Sequence, residues 1–167
     1  MKYDKIIIEG PNNVGKTTLI ENLRQFIDYE REHVTNLCPN DREFCDDLLS
    51  STEPLILDRL HVSEMVYSDI YKRRCKISQD EYEDLCYIHK DHVLIIILDA
   101  DYDFIIRANA LKKEHFDYKT VAAEKRRFYE QYLFLKDNDI PCVRIKNHWN
   151  EDLCKIVLGV IGYDFVN

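Results

Sequence analysis

A chain of 167 residues, 46% hydrophobic and 32% charged, has the apolar content for one domain with a sizeable core and the polarity of an ordinary globular protein. Disorder is excluded as its main state, and little length is left for a second domain. The 23 Lys and Arg stand against 31 Asp and Glu, a formal charge of −8. That charge repels polyanions, so no extended DNA-binding groove is expected.

Taken in chain order, Lys5-Ile6-Ile7-Ile8-Glu9 is a β-branched run ended by Gly10, the pattern of a strand buried on both faces of a parallel sheet. From Gly15 to Ile27, the residues Leu19, Ile20, Leu23, Phe26 and Ile27 fall at helical spacing. A strand is expected near His33 to Leu37, then a helix capped by Asn40, then a buried strand from Pro54 to Asp58. Val62, Val66 and Ile70 mark a helix after Asp58. Ser78 with Glu81 makes a capping box for another that runs toward Lys90. Val93 to Leu98 is the most hydrophobic strand. A helix from about Tyr102 follows, then a polar stretch from Lys112 to Lys119, then a helix with Val121, Phe128, Tyr132 and Leu135 on one stripe. Pro141 to Ile145 reads as the fifth strand, and Leu153, Ile156, Val157, Val160 and Ile161 line a closing helix. Repeated strand–helix units predict a single domain over 1–167, a three-layer α/β/α fold around a five-stranded parallel sheet, with a ligand crevice at the strands' carboxyl ends.

The six cysteines, at 38, 45, 75, 86, 142 and 154, form no CxxC or CxxH pair and read as reduced thiols. The longest apolar run, Val93 to Leu98, is too short to cross a membrane, and with Lys2, Asp4 and Lys5 ahead of a short apolar strand no secretory signal is expected. The cytoplasm is expected by elimination. The histidines show neither HxH nor HExxH spacing, so no metal centre is expected from them, and His61 is assigned no chemistry. Tyr71 is the tyrosine expected to reach the crevice.

Gly10-Pro11-Asn12-Asn13-Val14-Gly15-Lys16-Thr17 satisfies GxxxxGK[ST] between a strand and a helix, the context a P-loop NTPase fold requires. Two of the chain's four glycines fall in this loop. Glycine lets the backbone, through Gly10, Asn13, Val14, Gly15 and on to Thr18, curl around a triphosphate with its N–H groups inward. Lys16 brings a point charge to the β- and γ-phosphates of ATP. Thr17 offers a hydroxyl to Mg²⁺, which also needs a carboxylate at a strand end: Asp58, or in competition Asp99. Phosphoryl transfer further needs positive charge on the migrating group, and Arg107 with Lys112, Lys113 and Lys119 supplies it in a lid-like segment around 108–120. The loop also fits the NVGK[ST] pattern of GTPases. However, Asp58-Arg59-Leu60-His61 lacks the glycine of DxxG, and Lys146-Asn147-His148-Trp149 is not NKxD. A GTP- or ATP-binding switch module without an acceptor is therefore an alternative.

Leu57-Asp58-Arg59-Leu60-His61-Val62-Ser63-Glu64-Met65-Val66-Tyr67 resembles the DR[YFHW]xxS…Y signature of the thymidylate kinase-like family of nucleoside monophosphate kinases. The loop is similar to that family's EGxDGxGKTT, and Asp99 followed by Arg107 looks like its segment leading into the lid. The resemblance implies that Arg59 contacts the acceptor phosphate, that Asp58 organises metal and phosphates, and that Ser63 and Tyr67 build the acceptor pocket. Lys72 or Arg73 matches an arginine near the acceptor base, and Asn12 stands where the family has an acidic residue facing the acceptor sugar. Leu37-Cys38-Pro39 stands where thymidylate kinases read Arg-Glu-Pro, and where deoxynucleoside kinases carry a basic Glu. Without a carboxylate there, a phosphate acceptor, which needs no strong base, is favoured over a hydroxyl. The expected function is transfer of the γ-phosphate of Mg-ATP to a pyrimidine deoxynucleoside monophosphate, dTMP or a close analogue. The partners are then small-molecule nucleotides, and relatives often form homodimers. The alternative within phosphotransfer is a P-loop kinase of a hydroxymethylated pyrimidine in DNA, supported by Lys72, Arg73, Arg74 and Lys76.

Overall fold

In the computed structural model, which describes residues 2–148 and 152–163, β1 (Lys5–Glu9) lies at the centre of a five-stranded sheet and is buried along its whole length. The strand order is β2-β3-β1-β4-β5, formed by Glu30–His33, Leu55–Asp58, β1, Val93–Ala100 and Cys142–Asn147, and every pairing is parallel. Successive side chains of β1 serve opposite faces, as strand geometry demands. Ile6 and Ile8 pack with Leu19, Ile20 and Leu23 of α1 (Lys16–Leu23) and with Val157 and Leu158 of α7 (Leu153–Val160). Ile7 packs on the other face, where α2 (Arg42–Ser50), α3 (His61–Ile70), α4 (Gln79–His89) and α6 (Tyr118–Asp137) contribute Leu49, Val66, Leu85 and Phe128. Each fully buried Ile contributes about 1.5–3 kcal/mol, so β1 and β4 form the rigid base from which the site loops rise. α5 (Tyr102–Lys112) leads from β4 to the connection before α6. The six cysteines are free, and among the described residues no helix is long and apolar enough to cross a membrane.

The buried strands and the capping box at Ser78 and Glu81 stand as expected. The second strand does not lie at 33–37. It is Glu30–His33, an edge strand of four polar residues held to β3 by backbone pairing from Glu30 opposite Leu55 to His33 opposite Asp58. With no apolar alternation, nothing in its side chains announced it. The cap of α2 is Asp41, whose carboxylate accepts from Phe44 N, and Asn40 takes a left-handed turn (φ 51°) just before it. α1 stops at Leu23, and Phe26 and Ile27 close it with turn hydrogen bonds to Leu23 O. β4 continues through Asp99 to Ala100. The expected lid is helical over 108–112 and 118–120, which leaves a short connection at 113–117.

Candidate active site

Beyond β1 the chain has no room for a side chain at Gly10 and little at Gly15. A Cβ on Gly10 (φ 135°) would lie 2.0 Å from the Leu98 carbonyl oxygen, and one on Gly15 (φ 94°) would lie 2.6 Å from Asn147 Nδ2, which donates to Val14 O at 2.9 Å. Lys16 opens α1 and folds back inside the loop, its Nζ donating to Gly10 O (2.9 Å) and Pro11 O (2.6 Å). Burial, with the charge of Arg59 adding to it, holds the Lys16 ammonium well below the usual lysine range. The Leu19 N to Gly15 O bond of α1 leaves the amides of Lys16, Thr17 and Thr18 without intrahelical acceptors. These groups line a cavity of about 510 Å³ that also takes in Asn13, Gly15 and Asp58.

A second cavity, of about 430 Å³, lies between the β2–α2 loop and α3. Val34, Thr35, Ser63, Tyr67, Tyr71 and Arg73 are in its wall. The two cavities meet at Asn12, His33 and Arg59, which line both. Arg59 N donates to Ile8 O (3.1 Å) and the residue is held at φ 76°, a conformation that stores about 1–3 kcal/mol in a non-glycine residue. Its guanidinium donates to Tyr67 Oη (2.9 Å), Ser63 Oγ (3.4 Å) and Asn12 Oδ1 (2.8 Å), and lies 5.0 Å over the Tyr67 ring.

Two buried carboxylates that the sequence reading passed over hold this arrangement. Glu9 accepts from Leu60 N (2.9 Å), Ser63 N (3.2 Å) and Ser63 Oγ, so β1 supplies the cap that Leu60 cannot give α3. Burial pushes the Glu9 carboxyl up, against the opposing pull of its Ser63 hydrogen bond. Glu124 of α6 accepts from both Asn12 N and Asn12 Nδ2 at 2.8 Å. The signal available for Glu9 was an acid directly before the loop's first glycine. Glu124 had none, because its partner is distant in sequence.

Asp58, not Asp99, shares the cavity of Lys16 and Thr17. The Asp58 Oδ2 accepts from Arg31 (2.6 Å) and lies 3.0 Å from His33 Nδ1. For Asp99, burial would raise the carboxyl, but Lys125 and Arg144 bind it and keep it below the usual carboxylate range. Arg107 is not brought to Lys16. It lines a small neighbouring cavity with Phe104 and Asn147, because α5 turns Ala108, Leu111 and Lys112 toward the phosphate loop instead, and Arg107 sits about 100° off Ala108. Lys112 Nζ donates to Asn13 Oδ1 (2.6 Å), while Asn13 Nδ2 donates to Asn109 (3.1 Å) and Glu114 (2.8 Å). Of the two residues expected near the acceptor base, Arg73 lines the second cavity. Lys72 pairs with Asp69 (3.3 Å) on the outside. Leu37 is 90% exposed, so the strand-end position facing the crevice is His33 rather than Leu37.

Thr17 and Asp58 fit a magnesium ion carried by nucleotide phosphates, since such an ion needs only one or two protein oxygens. Among the described residues, no group of three or more His, Cys, Asp or Glu side chains is placed to hold a metal by itself. No protein-family profile matches the chain, and no curated protein sequence matches it. Solved structures do. The YorR protein from Bacillus subtilis, in complex with phosphorylated GDP, has 17% identity and a TM-score of 0.78 over 94% of this chain and 95% of that one. Deoxyadenosine kinase from M. mycoides with bound dCTP has 14% identity and a TM-score of 0.62 over 94% and 98%. Shikimate kinase from Acinetobacter baumannii in complex with shikimate has 12% identity and a TM-score of 0.57 over 99% and 96%. The three-layer α/β/α fold of this chain, with its five-stranded parallel sheet, is thus the fold of P-loop kinases.

Proposed function

We propose that the chain is an ATP-dependent phosphotransferase whose acceptor is a pyrimidine deoxynucleoside or its monophosphate, with the γ-phosphate crossing from the loop cavity to the α3 cavity. The observation that carries this reading is the pair Lys16 and Arg59. Two mutually repelling cations line the loop cavity, Lys16 within the loop and Arg59 where the second cavity joins it, an arrangement that a migrating phosphoryl group stabilises. The triphosphate tail lies along residues 10–17, with the free amides of α1 on its oxygens. Its nucleoside rests beside Phe104, Asn147 and Leu153, in a cavity of about 310 Å³ next to Gly15. A Mg²⁺ ion held by Thr17 and Asp58 would spread charge on the β- and γ-oxygens. The segment 108–120 acts as a lid, in which Lys112 exchanges Asn13 for a phosphate oxygen and water is excluded.

The resemblance to thymidylate kinases points to a thymine-like base on the acceptor, and the gathering of Arg59, Ser63, Tyr67 and Arg73 on one cavity wall supports a nucleoside-shaped ligand there. Unpaired thiols and the shortage of basic surface suit a cytoplasmic enzyme of small molecules. The basic cluster that would favour a DNA acceptor is dispersed, with Arg73 on Glu64 and Lys76 Nζ on the carbonyls of Asn36 and Cys38. The test is turnover of ATP with pyrimidine deoxynucleosides and their 5′-monophosphates by the wild type and by Lys16→Ala. The variant is expected to lose at least about 10³ in rate, with its thermal melt intact. Unchanged turnover would overturn the assignment.

A further inference from the structure

Phosphates in proteins are held by cations and free backbone N–H groups, and at the second cavity the N–H groups of Leu60 and Ser63 at the start of α3 are already taken by Glu9, so a monophosphate there needs cations of its own. Each basic side chain at the second cavity can be followed to its partners. Arg73 places both terminal nitrogens on Glu64 (2.6 and 2.7 Å), a carboxylate whose residue is only 3% exposed and which also accepts from Lys76 N. Arg31, just outside the wall, donates to Asp58, and His33 Nδ1 faces the same oxygen. Arg59 alone among these donates to neutral partners: Tyr67, Ser63 and Asn12. It stands at the shared wall, opposite Lys16, where the transferred group itself requires it. The rest of the wall is neutral, with Val34, Thr35, Asn36 and Asn40 on one side and the parallel rings of Tyr67 and Tyr71 (5.9 Å, 13°) on the other. The end of β2 presents His33 to this cavity.

Resting on the phosphotransferase reading, we infer that the acceptor is uncharged at its reacting end, the hydroxyl of a nucleoside rather than the phosphate of a nucleotide. In the step, the acceptor oxygen forms a bond to the γ-phosphorus while the bond from that phosphorus to the β–γ bridging oxygen breaks. ADP leaves with that electron pair. The hydroxyl proton, acidified only as the new bond forms in a loose transition state, passes to an oxygen of the migrating phosphoryl group and on to solvent. The one free guanidinium is then used on the migrating group throughout, and no second anion has to enter a wall that already carries Glu64.

The test is a product assay on the full chain with Mg-ATP. The acceptors are thymidine, deoxyuridine, 5-hydroxymethyl-deoxyuridine and deoxycytidine, each beside its own 5′-monophosphate, with duplex DNA containing hydroxymethyluracil as a further arm. At least one nucleoside is expected to exceed its monophosphate in kcat/KM by about tenfold or more, the worth of one missing charge-assisted contact. A monophosphate used as well as or better than its nucleoside, or the DNA used in preference to both, overturns the inference and leaves a phosphotransferase standing. If nothing is phosphorylated while ATP binds, the phosphotransferase reading falls and takes the inference with it. Glu64→Gln frees Arg73 and is expected to raise the monophosphate-to-nucleoside ratio about tenfold, and an unmoved ratio overturns the charge argument.

Discussion

Arg59→Ala separates the chemistry of the site from its architecture. Three bonds to neutral groups hold the guanidinium at the junction of the two cavities, so under the proposed function its charge is available to the group that crosses between them. Cations that stabilise a migrating phosphoryl group are worth about 10³–10⁵ in rate. With Lys16 still in place, the lower end, about 10³ or 4 kcal/mol, is expected in kcat/KM for the acceptor. Folding stability should fall by about 1 kcal/mol, because the half-buried Tyr67 Oη loses the donor at 2.9 Å. The strain at φ 76° remains in alanine and so contributes nothing to the difference. ATP affinity should stay within about threefold, because loop 10–17 and the Lys16 contacts do not use the Arg59 side chain, save through Asn12 Oδ1. Steady-state kinetics, calorimetric titration with ATP and urea denaturation give the three numbers. Arg59→Lys should recover only part of the rate, since a point charge cannot hold Tyr67 and Asn12 at once. If ATP affinity falls in step with turnover, or lysine restores the full rate, the bridging role is refuted.

Two further outcomes test the frame around the site. Burial, with His89 adding to it, lowers the His61 imidazole from 6.5 to about 3. The unfolded chain therefore binds the extra proton first, and the stability held by neutral His61 is complete above pH 6.5 and drains as the pH falls toward 3. Urea titrations at pH 7 and pH 5 should show a wild-type loss about 2 kcal/mol larger than that of His61→Leu, and parallel losses would place the imidazole in water. Gly10→Ala drives a methyl group into the Leu98 carbonyl and should cost about 3 kcal/mol in the same assay. A cost under about 1 kcal/mol would mean that β1 and β4 do not close around the loop as described.

The central strands and the loop were legible because their signals are local. Ile6, Ile7 and Ile8 need burial on both faces, and Gly10, Gly15 and Lys16 carry a loop chemistry set by spacing. Edge strand β2 was misplaced because Glu30, Arg31, Glu32 and His33 are held by backbone pairing to β3, which side-chain pattern does not record. That slip carried a chemical consequence, since the strand end was compared at Leu37 when His33 faces the crevice. Arg107 lines a cavity other than that of Lys16 for a related reason. Position along a helix says that a residue follows β4, but rotation about the helix decides which cavity it enters, and that depends on how α5 packs. Glu124 joins Asn12 across 112 positions of sequence, a contact that only the closed fold creates.

That contact explains the residue at position 12. An acid there would lie between Glu124, which already accepts from the residue's backbone amide, and Arg59, which needs a partner to hold its fork. It would be repelled by the first and would neutralise the second. Asparagine serves both neighbours without charge, giving its amide hydrogens to Glu124 and its oxygen to Arg59. The guanidinium is thereby fixed but left cationic. Because Glu9 and the Arg59 N to Ile8 O bond pin the start of α3 to β1, α3 and the loop 10–17 share one rigid support. For the proposed transfer, positive charge therefore stands in place beforehand and need not be reorganised, the condition under which electrostatic stabilisation lowers a barrier most. An Asn12→Asp variant should show the cost directly: kcat falls, and raising the pH does not restore it, because the new carboxylate pairs with Arg59 in place of the migrating group. A variant with full turnover would show that Arg59 does not need its charge free.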